Sequence, residues 1–91
     1  MGKETRLFKS EEPKKRAAVS EFLHQIAERI ANGEVVLRQG TEELVLQVPE
    51  NLILEVQVED EDKKIKGIQH SLEIEIKWFD HDGQGGPLEL G

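Results

Sequence analysis

The sequence predicts an α+β fold: a two-layer sandwich with one amphipathic helix packed on a four-stranded antiparallel β-meander. Three observations predict it. Apolar residues recur at spacings of three and four before Asn32, they alternate every second position from Gly33 to Phe79, and turn residues interrupt that alternation at intervals suited to hairpins. A sheet with one apolar face and a helix with one apolar stripe each stay in water only by covering the other.

The helical segment runs from about Ser10 to Asn32, where Val19, Phe22, Leu23, Ile26 and Ile30 form one stripe, widened by Ala18 and Ala27. Ser10 suits the N-cap; so does Glu12, with Pro13 in the first helical position. Asn32-Gly33 supplies the stop, because glycine accepts the left-handed conformation without a Cβ penalty. Lys14, His24, Gln25 and Glu28 fall on the solvent side.

Four half-buried strands follow. Val35 and Leu37 alternate with Val36 and Arg38, and Leu44, Leu46 and Val48 with Val45 and Gln47. Leu52, Leu54, Val56 and Val58 alternate with Ile53, Glu55, Gln57 and Glu59, and Leu72, Ile74, Ile76 and Trp78 with Glu73, Glu75, Lys77 and Phe79. Gln39-Gly40-Thr41-Glu42 lets Leu37 meet Leu44, and Pro49-Glu50-Asn51 lets Val48 meet Leu52. The third connection, about 60–70, is long and charged, with Ile65 and Ile68 available to extend its hairpin. The pattern also leaves room for a short strand at 5–9. The organisation expected is one α+β domain over 1–79 and a flexible, glycine-rich tail over 80–91.

Composition sets the limits. Among 91 residues, 19 Asp and Glu against 12 Lys and Arg give a formal charge of −7, and Leu, Ile, Val and Phe number 27. That apolar content exceeds the level at which high net charge means disorder, so a folded acidic domain is expected. There is no cysteine. Thiolate metal sites, Cys nucleophiles and disulfide frameworks are thereby excluded, and a reducing, cytoplasmic setting is the expectation. Met1-Gly2-Lys3-Glu4-Thr5-Arg6 has no apolar h-region, and no apolar run approaches the roughly 20 residues of a membrane span.

The order of features, a charged leader, a helix ending Ile30-Ala31-Asn32-Gly33, the strand Glu34-Val35-Val36-Leu37 and a last strand Leu72-Glu73-Ile74-Glu75-Ile76-Lys77-Trp78, resembles the small prokaryotic amphi-Trp domain family. The likeness covers about Thr5 to Phe79. It implies a small domain without an assigned activity, and it brings no catalytic or binding residues to carry over.

No constellation of residues specifies a reaction or a metal. His24, His70 and His81 are not spaced as convergent ligands, and Asp80-His81-Asp82 reads as solvated tail. Glu59-Asp60-Glu61-Asp62 fails as a calcium loop: with Asp60 first, Lys64 takes the fifth position, Ile65 the glycine position and Ser71 that of the bidentate Glu. Lys14-Lys15-Arg16 opposes the helix dipole, but Glu11 and Glu12 stand four residues before Lys15 and Arg16. A chain at −7 with no aromatic residues interleaving that cluster does not fit nucleic acid. Trp78, the single tryptophan, reads as a core residue closing one end of the sandwich.

The expectation is therefore a non-catalytic protein-interaction or self-assembly module. It takes no cofactor, and its partner is another protein or a second copy of the chain in a homodimer. The partner-facing residues are Val36, Val45 and Ile53 on the outer sheet face, with the acidic Glu55, Glu73 and Glu75 beside them. Residues 1–32 carry seven basic and five acidic side chains and residues 33–91 five and fourteen, a dipolar layout suited to association. The alternative is a carrier holding an apolar molecule between helix and sheet near Trp78.

Overall fold

The computed structural model describes residues 2–80. Its elements are α1 (Arg16–Asn32), β1 (Glu34–Gln39), β2 (Glu42–Gln47), β3 (Ile53–Asp62), a 3-10 turn (Lys64–Lys66) and β4 (Ile68–Lys77). The α+β class holds, but the four strands form two two-stranded antiparallel sheets, β1–β2 and β3–β4, and not one meander. The chain divides accordingly into two compact units, residues 1–48 and 49–91.

The break falls at Pro49. The Val48 N–H donates to the Gly33 carbonyl at 2.8 Å and extends the β1–β2 pairing by one residue, but the expected pairing of Val48 with Leu52 is part of neither sheet. Pro49 then has no N–H to offer a strand partner.

In the first unit α1 packs on β1. The helix starts later than the periodicity predicts. Neither Ser10 nor Glu12 caps it; Lys15 is the N-cap, without a side-chain hydrogen bond. A start at Pro13 would put Lys14, Lys15 and Arg16 in the first turn, where the positive end of the dipole opposes all three; the later start leaves only Arg16 inside. The i,i+4 pairs expected from Glu11 and Glu12 cannot form in a non-helical segment. Glu12 instead meets Lys14 at 3.3 Å and Glu11 meets Lys9 at 3.7 Å. Residues 5–9 form no strand.

The helix stops where expected. Gly33 takes φ +85°, and its N–H donates back to the Ile30 carbonyl at 3.0 Å. Gly40, at φ +61°, turns β1 into β2. The register pairs Leu37 with Leu44 and Val35 with Leu46, giving one apolar face. Val35 on that face is the buried core residue of the described chain, at 6% exposure. Ile26 and Ile30 are half-buried, whereas Val19, Phe22 and Leu23 stay exposed.

The second unit is a ribbon of two ten-residue strands, longer than the alternation predicts. Pairing continues to Asp62 and Ile68, so the connection shrinks to residues 63–67. Lys63 N–H donates to the Gly67 carbonyl at 2.8 Å, Lys64 N–H to Asp62 Oδ1 at 2.8 Å, and Lys64 itself sits at φ +62°. Ile68 joins the ladder as expected. Ile65 does not, and is fully exposed at the tip.

Leu54, Val56 and Val58 stand across from Ile76, Ile74 and Leu72 on one face. The predicted alternation is present, but this unit has no second layer of its own. Leu54, Val56, Val58, Leu72 and Ile74 are 54% to 72% exposed. Trp78 follows β4 and is half-buried, and the expected tail, apart from Asp80, lies outside the described residues. Among the described residues no helix is long and apolar enough to cross a membrane.

Candidate functional site

The six residues expected to face a partner divide between the two units. Val36 and Val45 are cross-strand partners on β1 and β2, as the sequence register requires. Their neighbours on the same face are polar pairs. Gln47 Nε2 donates to Glu34 Oε2 at 2.9 Å on one side, and Arg38 Nε donates to Glu43 Oε2 at 2.7 Å on the other. The valine pair is thus a narrow apolar strip between two satisfied polar rungs, with Val36 half-buried and Val45 exposed.

Ile53 does not join that strip. The β2–β3 pairing that would bring it beside Val45 is not formed, and Ile53 stands across from Lys77 on the ribbon. There it heads a face whose next rungs pair Glu55 with Glu75, Gln57 with Glu73, Glu59 with Ser71 and Glu61 with Gln69. Glu55 and Glu75 are opposed as the sequence predicts, and strand alternation puts Glu73 on the same face.

Lys77 offsets this crowding at one end. Its Nζ lies 2.8 Å from Glu55 Oε1 and 3.8 Å from Glu75 Oε1. The hydrogen bond from Lys77, followed by its charge, holds the Glu55 carboxyl below the usual carboxylate range, and the same contact raises the Lys77 ammonium. Further along, Lys63 meets Glu61 at 3.2 Å, and among the described residues no cation pairs with Glu59 or Glu73. A hydrogen bond shared with Glu59 raises the Glu73 carboxyl above its ordinary range, with partial desolvation and the charges of Glu59, Glu75 and Glu55 adding to it. The face is therefore graded, neutralised near Lys77 and unrelieved near Glu73.

Sequence reading missed the pair His70 and Asp60, which the register brings opposite each other with Nδ1 and Oδ1 2.6 Å apart. The signal lies in the turn: once Asp62 pairs with Ile68, residues whose numbers sum alike must face each other. Ser71 Oγ donates to the Glu59 carbonyl at 3.4 Å, and so serves the ladder. Among the described residues, no three His, Asp or Glu side chains converge as cation ligands would. The chemistry the two units offer, each by itself, is charge and shape recognition: a short valine strip on the first, and an acidic strip and an aliphatic face on the second.

Comparison with known proteins gives one positive result. The family model described as the Amphi-Trp domain matches residues 1–91. No curated protein and no solved structure matches significantly.

Proposed function

We propose that this chain, which belongs to the Amphi-Trp domain family, acts as a non-catalytic protein-interaction or self-assembly module that works through its exposed strand surfaces. The observation that supports this reading most is the imbalance between core and surface. Among the described residues Val35 alone is buried, while fourteen large hydrophobic side chains are exposed. Exposed apolar side chains in contiguous patches are what interaction sites present.

In this reading Val36 and Val45 supply apolar contact on the first unit, and on the second Ile53 does so while Glu55, Glu73 and Glu75 select a partner with cationic groups. Charges of this kind govern association rate and salt dependence more than affinity. The lack of cysteine agrees with work in the reducing cytoplasm.

Size-exclusion chromatography with light scattering, at low and high salt, tests the reading together with capture from cell extract. Self-association or a salt-sensitive protein partner is expected. A strict monomer that captures nothing at either salt overturns it, and an apolar molecule retained in native mass spectrometry favours the carrier reading.

A further inference from the structure

Asn32-Gly33 ends the helix, and the same dipeptide brings together two groups that can react. The Gly33 amide nitrogen and the side-chain carbon Cγ of Asn32 are joined by the right length of chain to close a succinimide ring, an intramolecular attack that waits on no encounter. Glycine has no Cβ to shield its nitrogen. The other asparagine of the chain, Asn51, precedes Leu52, whose branched side chain does shield it.

The fold blocks this attack at both atoms. Asn32 is the last residue of α1. Ring closure needs the Asn32 Cβ nearly eclipsed with the Gly33 nitrogen, and a helical ψ of about −40° keeps the two apart. The Gly33 N–H is also engaged, donating to the carbonyls of Arg29 and Ile30, the latter at 3.0 Å. Beyond it the Gly33 carbonyl accepts from the Val48 N–H at 2.8 Å. Rotation about the Asn32 ψ therefore breaks the cap and disturbs the end of the β1–β2 pairing together.

We propose that Asn32-Gly33 is a latent self-modification site, held shut by the helix C-cap and released when the last turn of α1 opens. In the released chain the Gly33 nitrogen bonds to Asn32 Cγ and the Cγ–Nδ2 bond breaks. The amide proton departs with the Nδ2 group as ammonia, leaving a cyclic imide. Water then opens the ring, and no atom is oxidised or reduced. Addition of water at Cγ restores the ordinary backbone with an aspartate at position 32. Addition at the main-chain carbonyl cuts its bond to the Gly33 nitrogen and routes the backbone through Cβ and Cγ as isoaspartate.

Either product weakens the cap that restrained the reaction. A carboxylate enters at the negative end of the helix dipole, in a chain already at −7. Isoaspartate also lengthens the main chain between the Ile30 carbonyl and the Gly33 N–H. A chain that has opened and reacted therefore recloses less readily. No partner takes part, so the site does not depend on the interaction reading.

The experiment incubates full-length chain at neutral pH in native buffer and in guanidinium chloride, and peptide mapping with separation of aspartyl from isoaspartyl products follows Asn32 and Asn51. Hydrogen exchange of the Gly33 amide in the native buffer gives the fraction of time the cap is open. In denaturant Asn32 should convert well ahead of Asn51, with isoaspartate among its products. In native buffer its conversion should slow by about tenfold or more, matching the Gly33 protection within about threefold. Ala31→Gly, which loosens the last turn outside the reacting pair, should speed the native reaction by about fivefold and leave the denatured rate within about twofold. If that variant does not fold, the wild-type comparison still decides the matter. An Asn32 that stays intact in denaturant, or gives aspartate without isoaspartate, overturns the cyclisation. Equal rates in the two solutions, a slowing that departs from the Gly33 protection, or a folded Ala31→Gly with an unchanged native rate overturns control by the cap.

Discussion

Gly33 joins the helix to the strands, and substituting it separates conformational cost from packing cost. At φ +85° it lies in the left-handed region, with its N–H on the Ile30 carbonyl at 3.0 Å and its own carbonyl accepting from Val48 at 2.8 Å. A Cβ built there would find its nearest neighbour, the Val48 carbonyl oxygen, at 3.6 Å, an ordinary van der Waals contact. Space is therefore not limiting, and the cost of Gly33→Ala is backbone strain of about 1–2 kcal/mol. Part of it is offset by the roughly 0.4–1 kcal/mol that alanine removes from unfolded-state entropy, leaving about 1 kcal/mol net. Gly33→Asn introduces a side chain that tolerates this region and should lose only a few tenths, while Gly33→Val, which adds a β-branch, should lose about 2 kcal/mol. Urea unfolding followed by circular dichroism measures the series. With m near the 1 kcal/mol/M low end for a short chain, the alanine variant should shift the midpoint by about 1 M at unchanged slope. A neutral Gly33→Ala, or equal losses for the asparagine, alanine and valine variants, would refute the assignment of the cost to φ.

Val35→Ala removes two buried methyl groups and should cost about 2 kcal/mol by denaturant titration, whereas Val36→Ala on the opposite face should cost less than half as much. Lys64→Asn relieves the left-handed strain at φ +62° and should add about 0.5–1 kcal/mol of stability by the same titration. Glu73 binds its proton more tightly folded than unfolded, so its ionised form opposes folding above its raised folded value, and the penalty fades as pH falls through that value. Glu73→Gln should accordingly raise the thermal midpoint at pH 7 and make no difference below the carboxylate range. Glu55 has the opposite sign: its depressed value gives stability that is present at pH 7 and lost as pH falls through the folded value. Lys77→Met should therefore lower the midpoint at pH 7. These groups are exposed, so both effects should be small and shrink further in 1 M salt.

Local pattern accounts for most of what the sequence revealed. The helix stop at Asn32-Gly33, the Leu37–Leu44 register and the Glu55–Glu75 opposition follow from residues a few positions apart or from simple alternation, and each is found. The late helix start escaped because capping preference at Ser10 or Glu12 competes with three consecutive cations, and the dipole prevailed. The single meander escaped for a different reason. Alternation says which side of a strand is apolar but not which strand lies beside it, and Pro49-Glu50-Asn51 suits a hairpin that the chain does not form. The partner-facing set divides for the same reason: Val36 with Val45 is readable within one hairpin, and Ile53 needs a pairing that does not exist.

The tight closure of residues 63–67 leaves Ile65 projecting wholly into water beyond the last rung of the ribbon. In a chain without cysteine, a thiol introduced at position 65 would be unique. A spin label or dye attached there sits just beyond the last paired rung and replaces no side chain of the ladder, so that it reports on whatever the hairpin tip meets.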